Sequence, residues 1–586
     1  MLKENWLTTT LLLAYLVIVL SIFFQIPQLF TLTVIIYSLI LFHTILQAKS
    51  YNPLVAILGI LTICLWLRVF PYTFSIPLGV DPIRDVIYAY HVIQEGTLIY
   101  NMPRFVSYYQ YFPATQIIPA INAIVSGLDI AYSHYLTLSV LLSLGIIPLI
   151  ITLRNIVGAY TKQFLIVGIL YATIPAIATW GYWVIPMSFS MLLSAFSIML
   201  FAKYFRSRKL GFMVLSLVFS ILTVMVHAVV GAILIGFYII TLIMYYLSYR
   251  KSTTLRYSSL KHFVTYDTIL TTYTVFYWYF IDFTNLLLKQ MNRMYVNMVQ
   301  FLSKLFKPSI EATRSVIIPT TPKVEKVIEY PQVIKYLPTQ HPLFYIFPRW
   351  VWSILLILIP ILLFLICKVW KIKVNTFLKS LGIYAILMLM FTVFSLYFNL
   401  IWKADRYIAS PTTIYAIVFI TALLASIIKH RLNVKVKYLV VFLVITLVIA
   451  SILDPRVSFY TNPIEGDRVT FKINERTASS FLISMHDSGY IISDYNLMTM
   501  YLYYLITKNN RLDLNIAFSP IYHCLGKKRW NKDWVFLLRK YSVESYYIWD
   551  LNFRRNPRVL NKAFYLANLV YVNGGSFIFK SITVKE

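Results

Sequence analysis

What this 586-residue chain has least of is acid. Only 22 residues are Asp or Glu against 52 Lys or Arg, and charged residues make up just 13% of the sequence. A soluble domain carries about 25% charged and about 45 to 50% apolar residues, whereas 59% are hydrophobic here. That balance excludes an ordinary soluble fold. Cysteine is scarce as well. Of the three, Cys64 and Cys367 fall inside apolar runs and only Cys524 lies in a polar region, which excludes an intramolecular disulfide framework and a cysteine-type metal site. Apart from 24 prolines and 17 glycines there is little to break long segments. The more polar C-terminal part also lacks a Gly-rich phosphate loop, a nucleophile elbow and a zinc-ligand spacing.

Long apolar runs are what the chain has in abundance. Runs of about 17 to 23 residues match the helix length that crosses a ~30 Å hydrocarbon layer. The sequence predicts thirteen: near 8–24, 29–47, 54–70, 131–153, 163–181, 184–203, 212–229, 231–249, 263–283, 350–368, 380–400, 411–428 and 438–453. The expected fold class is a polytopic α-helical membrane protein. The net charge of +30 does not indicate nucleic acid, because the bases sit in short loops between these runs. KYFRSRK (203–209), RKSTTLRYSSLK (250–261), KVWKIKVNTFLK (368–379) and KHRLNVKVK (429–437) each hold four Lys or Arg and no acid. Such loops stay cytoplasmic. Placing all four inside puts the N-terminus inside and the C-terminal tail outside, provided PATQIIPAINAIVSG (113–127) does not cross but lies at the interface as a short helix.

Three larger pieces then face outward: 71–130, 284–349 and a tail from about 454 to 586. In the tail, INERTASSFLISMHDSG reads as a helix followed by a YIISD strand closed by Asp494. YNLMTMYLYYLIT and NKDWVFLLRKY read as further helices and ESYYIWD as a strand. NLVYVNGGSFIFKS has the composition of a hairpin turning at Asn573-Gly574-Gly575. Alternating strands and helices indicate a small extracytoplasmic α/β domain. The expected division is two N-terminal transmembrane helices (1–53), a transmembrane domain (54–453) and the α/β domain (454–586).

The loop 71–130 concentrates the scarce acids. Asp81-Pro82 is a helix-start signal, with the carboxylate as cap and proline suited to the first helical position. Ile83, Val86, Ile87, Tyr90 and Ile93 follow at helical spacing, and Gly96 is a stop. The expectation is an amphipathic helix along the outer membrane surface, with Asp81 and Asp85 one turn apart on the same side.

The segments GVDPIRD (79–85) and IQEG (93–96), set in an outward loop after an early membrane helix, resemble the first extracytoplasmic loop of GT-C superfamily glycosyltransferases. TVMVHAVVGAIL places His227 near the outer end of a span, KADRYIAS places Arg406 just outside a late span, and LVYVNGGSFIFKS is similar to the terminal hairpin of archaeal and bacterial members. The resemblance covers roughly residues 54–586, so the first two helices look like an addition to the family core. It implies an integral membrane enzyme that takes a sugar from a polyprenyl-phosphate donor and passes it, with inversion, to a glycan, lipid or protein acceptor. The chain departs from the pattern in two places. It lacks the Trp-Trp-Asp-Tyr-Gly sequence of oligosaccharyltransferases, which argues against whole-glycan transfer to asparagine, and it has no second Asp-x-Asp motif, which leaves a divalent metal allowed but not required.

That chemistry needs a base for the acceptor's proton and cations for the departing phosphate. Asp81 and Asp85 are the candidates for the first role; Arg406, Lys403, His227 and Arg84 are those for the second. His91, Glu95 and Tyr88 are weaker candidates for contact with the sugar. Each has a plainer reading: Asp81 a helix cap, Asp85 an ion-pair partner of Arg84, His227 a packing histidine, Arg406 an interfacial arginine, His91 and Glu95 a solvated face, Tyr88 part of an aromatic belt. Two other function classes fit the bulk properties. A non-catalytic scaffold or receptor would use the tail to bind a partner; a transporter would carry ionisable groups near the bilayer midplane.

Overall fold

The computed structural model describes residues 2–24, 26–47, 53–73, 80–96, 113–157, 162–250, 257–281, 342–397, 404–429, 434–454, 473–485 and 489–493, and elsewhere only single residues and short runs, the later strands among them. Helices α1 (Leu2–Phe23), α2 (Pro27–Gln47) and α3 (Pro53–Val69) are followed by a short 3-10 turn at Phe70–Thr73. Next come α4 (Val80–Glu95), α5 (Ala114–Ser126), α6 (Ile130–Ser143), α7 (Ile146–Val157), α8 (Ile166–Thr173) and α9 (Pro175–Tyr182). The series continues with α10 (Pro186–Ser207), α11 (Leu210–Val226), α12 (Ala228–Arg250), α13 (Tyr257–Phe280), α14 (Pro342–Val369) and α15 (Thr376–Tyr397). A π-helical turn at Asp405–Ala409 leads into α16 (Ser410–Lys429), and α17 (Val434–Leu453) closes the bundle.

The described residues of the thirteen expected spans are almost all helical, with 131–153 divided into α6 and α7. Among the described residues nine helices are long and apolar enough to cross a membrane, and α8 with α9 makes a tenth that is bent by 60°. The bend was not anticipated by the straight run at 163–181; it falls at Pro175, which has no amide to continue the hydrogen-bond ladder of α8. The other three are α1, α11 and α13: the described apolar stretch of α1 is Leu12–Ser21, α11 has only 17 residues, and α13 is diluted by threonine and tyrosine. The chain is a multi-pass membrane protein.

Helix α16 runs through the middle of the bundle, buried along nearly its whole length. Its polar residues do not disrupt it, because Thr412, Thr413 and Thr421 return their hydroxyls to the carbonyls of Ile408, Ala409 and Ile417 at 2.7, 2.8 and 2.8 Å. These three hydroxyls need no water. Helices α10 to α13 are joined differently. Ser197 contacts Tyr238 and Ser220, each at 2.6 Å, and Tyr266 contacts Ser220 at 2.7 Å and Ser216 at 3.0 Å. Hydroxyl pairs of this kind hold helices together where apolar packing alone gives little advantage over lipid.

The tail begins with α18 (Ile473–Met485) and a five-stranded sheet in the order β2-β1-β3-β7-β6. Its strands are β1 (Gly489–Ser493), β2 (Leu514–Ile516), β3 (Trp534–Arg539), β6 (Ala567–Asn573) and β7 (Ser576–Ser581); β4 (Tyr547–Ile548) and β5 (Phe553–Arg554) form a separate pair. Strand β1 runs parallel to β2 and β3, while β7 is antiparallel to β3 and β6. The β6–β7 hairpin closes on the Asn573–Ser576 pair, around the expected Gly-Gly. One expectation is overturned: NKDWVFLLRKY, read as a helix, contains the central strand β3. Its apolar run WVFLL is unbroken, a pattern that periodicity does not separate from a short buried helix. Asp494 and Cys524 lie outside the described residues, as do 304–341 of the second outward loop. Cys64 and Cys367 are free and buried within spans.

Candidate functional site at one end of the bundle

Helix α4 begins at Val80, so Asp81 lies one residue inside the first turn and is not the cap that Asp81-Pro82 suggested. Its charge still favours that position, where the free amides of the helix start carry partial positive charge. The helix ends as expected at Gly96, whose φ of +65° suits glycine and whose amide donates to the Val92 carbonyl at 3.0 Å. Burial is wider than one stripe. Ile83, Val86, Ile87 and Ala89 are buried, but so are Tyr88, Arg84 and Asp85, while the expected stripe member Ile93 is exposed. The helix therefore does not lie with one face open along a surface. It packs into a cluster with Ala120 and Ala123 of α5, Ile130 and Tyr135 of α6, and Leu482 and Leu502 of the tail.

The two acids of α4 are not equivalent. Arg84 sits between them, its Nη1 3.4 Å from Asp81 Oδ1 and its Nε 3.8 Å from Asp85 Oδ1. The Asp81 side chain is 21% exposed and that of Asp85 is 0% exposed. Asp85 instead faces the first turn of α5. Gln116 Nε2 donates to its Oδ1 at 3.2 Å, and Thr115 Oγ1 lies 3.5 Å from its Oδ2. Burial pushes the Asp85 carboxyl up to about 7, against the pull of Arg84 and of the bonds from Gln116 and Thr115. The chemical division follows from access: Asp81 can meet a substrate, and Asp85 fastens α4 to α5.

The weaker candidates lie apart from this pair. His91 is ten residues beyond Asp81, about 15 Å along a helix. Its Nδ1 is 3.8 Å from Glu95 Oε1, and burial, set against the nearby Glu95 charge, lowers its basicity. Tyr88 is packed inside.

Of the four basic candidates Arg84 is thus on α4, while His227 lies beside the π-helical turn that contains Arg406. The extra residue of a π turn interrupts the regular side-chain register and often marks a functional position. Tyr407, the residue after Arg406, stacks near-parallel on His227, with 6.4 Å between ring centroids and 19° between planes. His227 lies in the break between α11 and α12, and its Nδ1 accepts the Val230 amide at 3.4 Å, which leaves the proton of a neutral ring on Nε2. The break that holds His227 and the turn that holds Arg406, distant in sequence, are thus neighbours in the fold. The Arg406 side chain and all of Lys403 lie outside the described residues.

Between the two groups runs a buried polar seam that the sequence did not reveal. Tyr72 OH donates to the Tyr182 carbonyl at 3.0 Å and meets Ser139 Oγ at 2.5 Å, and Ser139 Oγ donates to the Gly181 carbonyl at 2.9 Å. Arg68, in the last turn of α3, is fully buried; its Nη1 donates to the Cys64 carbonyl at 2.9 Å and its guanidinium lies 5.2 Å from the Tyr171 ring centroid. Gly181 leaves room for it, since a Cβ there would stand 2.2 Å from Arg68 Nε. One residue back, Trp180 Nε1 donates to Ser410 Oγ at 2.8 Å, directly after the π turn. An arginine ending an apolar run reads in sequence as an interfacial residue reaching for water. Only the packing distinguishes Arg68 from that.

Among the described residues no three His, Cys, Asp or Glu side chains converge on a metal position. No family model matches the chain, and no curated protein does. Among solved structures the chain is similar to ArnT from Cupriavidus metallidurans in the apo state, with 11% identity, a TM-score of 0.49, and 90% of this chain and 97% of that one covered. It is likewise similar to ArnT from Cupriavidus metallidurans bound to undecaprenyl phosphate, with 11% identity, a TM-score of 0.46, and 91% and 98% covered.

Proposed function

We propose that the chain is a membrane glycosyltransferase that moves a sugar from a polyprenyl-phosphate donor to a lipid-linked, glycan or protein acceptor, working on the outer face with its N-terminus cytoplasmic and its tail extracytoplasmic. The observation that carries this reading is the pairing of a partly exposed acid, Asp81, with a buried guanidinium, Arg84, at the same end of a membrane bundle as the His227–Tyr407–Arg406 turn. A prenyl chain dissolved in the bilayer would bring its phosphate and sugar to such an end. Asp81 takes the proton of the acceptor hydroxyl as it attacks the anomeric carbon, and the bond from that carbon to the phosphate oxygen breaks. Arg406, helped by the Nε2 proton of His227 and by Lys403, stabilises the phosphate that leaves. Attack from the side opposite the leaving group inverts the sugar. A divalent metal is not needed for these steps.

The reading is tested by supplying the purified chain, reconstituted in sealed vesicles of defined orientation, with a panel of short-prenyl phosphate sugars added to the outside. Donor turnover by protein whose tail faces the added donor is expected. Turnover only where the 203–209 loop faces the donor would reverse the orientation, and no turnover of any donor would remove the enzyme reading.

A transporter is the second reading, and one residue favours it. Asp267 lies eleven residues into the 24-residue α13, buried, with neither carboxylate oxygen hydrogen-bonded among the described residues. Acids at such depth commonly mark an ion path.

A further inference from the structure

The tail meets the bundle beside α4. The Tyr504 ring stands 6.1 Å from that of Tyr90, on the last turns of α4. One helical turn further along the tail, Lys508 Nζ donates to Asp129 Oδ2 at 2.8 Å. Tyr90 OH donates to that same oxygen at 3.3 Å. The other oxygen of Asp129 accepts the Ala131 amide at 2.9 Å and so caps the start of α6. A single carboxylate therefore ties together three pieces that are far apart in sequence: α4, the start of a membrane span, and the tail.

The charges agree with this arrangement. Burial by itself would raise the Asp129 carboxyl, yet the bonds from Lys508 and Ala131 hold it below the usual carboxylate range; Lys508 is raised in turn by Asp129. Their side chains are 28% and 42% exposed, and a lone pair so exposed contributes little to stability. Here the pair is not alone. It sits over the apolar cluster that buries α4 against Leu482, Leu502 and Leu505 of the tail, and its three donors all converge on one group. Asp81 and Tyr90 are nine residues apart on one helix, about 13 Å, so a displacement at Tyr90 is carried to Asp81 by a stiff element.

We propose that Asp129 and Lys508 are positioning residues whose ion pair clamps the tail onto α4, making the tail part of what holds Asp81 in place. The structural half of this claim stands without the transferase reading; the catalytic half rests on it.

Hydrogen exchange on the full-length chain in lipid nanodiscs tests the clamp. Asp129→Asn keeps a good cap for α6 but loses the ion pair, and Lys508→Met keeps the apolar stem and loses the charge. Either variant should speed exchange in residues 80–96 about three- to tenfold, leave 130–143 protected, and add nothing to the other when combined, because both remove one contact. Unchanged exchange at 80–96 in Lys508→Met would overturn the clamp; that variant leaves the α6 cap intact, so it remains informative if Asp129→Asn folds poorly. With a donor that the wild-type chain turns over, kcat should fall by a similar factor with KM for the donor unchanged. Faster exchange with undiminished kcat would overturn the positioning role. A wild-type chain without turnover would instead sink the transferase reading and leave the exchange result standing.

Discussion

The two polar groups at the end of the bundle are built in opposite ways. The acidic group rides on α4 and α5, which belong to no membrane span, and is held by packing against the tail; the basic group is formed by the ends of spans themselves, at the α11–α12 break and the π turn before α16. A helix outside the spans depends on its contact with the tail for its position, whereas a π turn at the head of α16, buried along nearly its whole length, is held by the bundle itself. On the proposed function, the difference suits a division in which the base on α4 is held in place by the tail and the phosphate site by the spans themselves.

The division fails most visibly if Asp81 is not the base. Asn nearly matches Asp in size but is a poor base, so Asp81→Asn should fold normally and lose about 10²- to 10⁴-fold in transfer rate. Near wild-type turnover in a well-folded variant would strip α4 of its assigned role. Asp85 should behave differently. Its folded-state carboxyl is raised to about 7, so between the ordinary carboxylate range and pH 7 the folded chain holds a proton that the unfolded chain has lost. Stability present at acidic pH is then lost as pH rises through that window, by a ceiling of about 4 kcal/mol. Thermal unfolding followed from pH 4 to 8 should show this slope in the wild type and lose it in Asp85→Asn. An unchanged slope would mean that Asp85 is not the group responsible.

The basic group is probed through binding. Hydrogen bonds from a guanidinium to phosphate are worth about 1.5 to 3 kcal/mol, so Arg406→Ala should weaken donor binding about ten- to a hundredfold, and Arg406→Lys by less. Titration of a labelled donor measures both. Unaltered affinity in the alanine variant would leave the π turn without a ligand.

How far these groups could be read beforehand depends on the range of the interaction. The spans were legible because a bilayer demands long apolar runs, and α4 was legible from Asp81-Pro82, its spacing and Gly96. All are local signals. Strand β3 reads as a helix because a run of five apolar residues is equally at home in one, and its pairing with β1 and β7 is what decides. The Asp85–Gln116 and Asp129–Lys508 contacts join residues 31 and 379 positions apart, and no local pattern encodes them. Arg68 is the sharpest instance. Nothing in ICLWLRVF tells whether the arginine faces headgroups or the interior, and its burial depends on a glycine more than a hundred residues later.

Asp267 sets the smallest effect and the remaining test of the comparison, because it is a buried acid away from both groups whose carboxylate has no hydrogen-bond partner among the described residues. It shares the inward face of α13 with Phe263, Tyr266, Leu270 and Thr274, all buried. A carboxyl taken out of water with no hydrogen-bond partner costs free energy, and exchanging such a group for an apolar one of similar size tends to be neutral or stabilising by analogy with buried ion pairs. If Asp267 has only a packing role, Asp267→Leu should raise the unfolding temperature by about 1 to 3 °C and leave transfer intact. The informative contrary result is a variant that is more stable and inactive. A site that stores unfavourable burial for a purpose behaves in that way, and working charge would then lie within the membrane as well as at its edge, as an ion path requires.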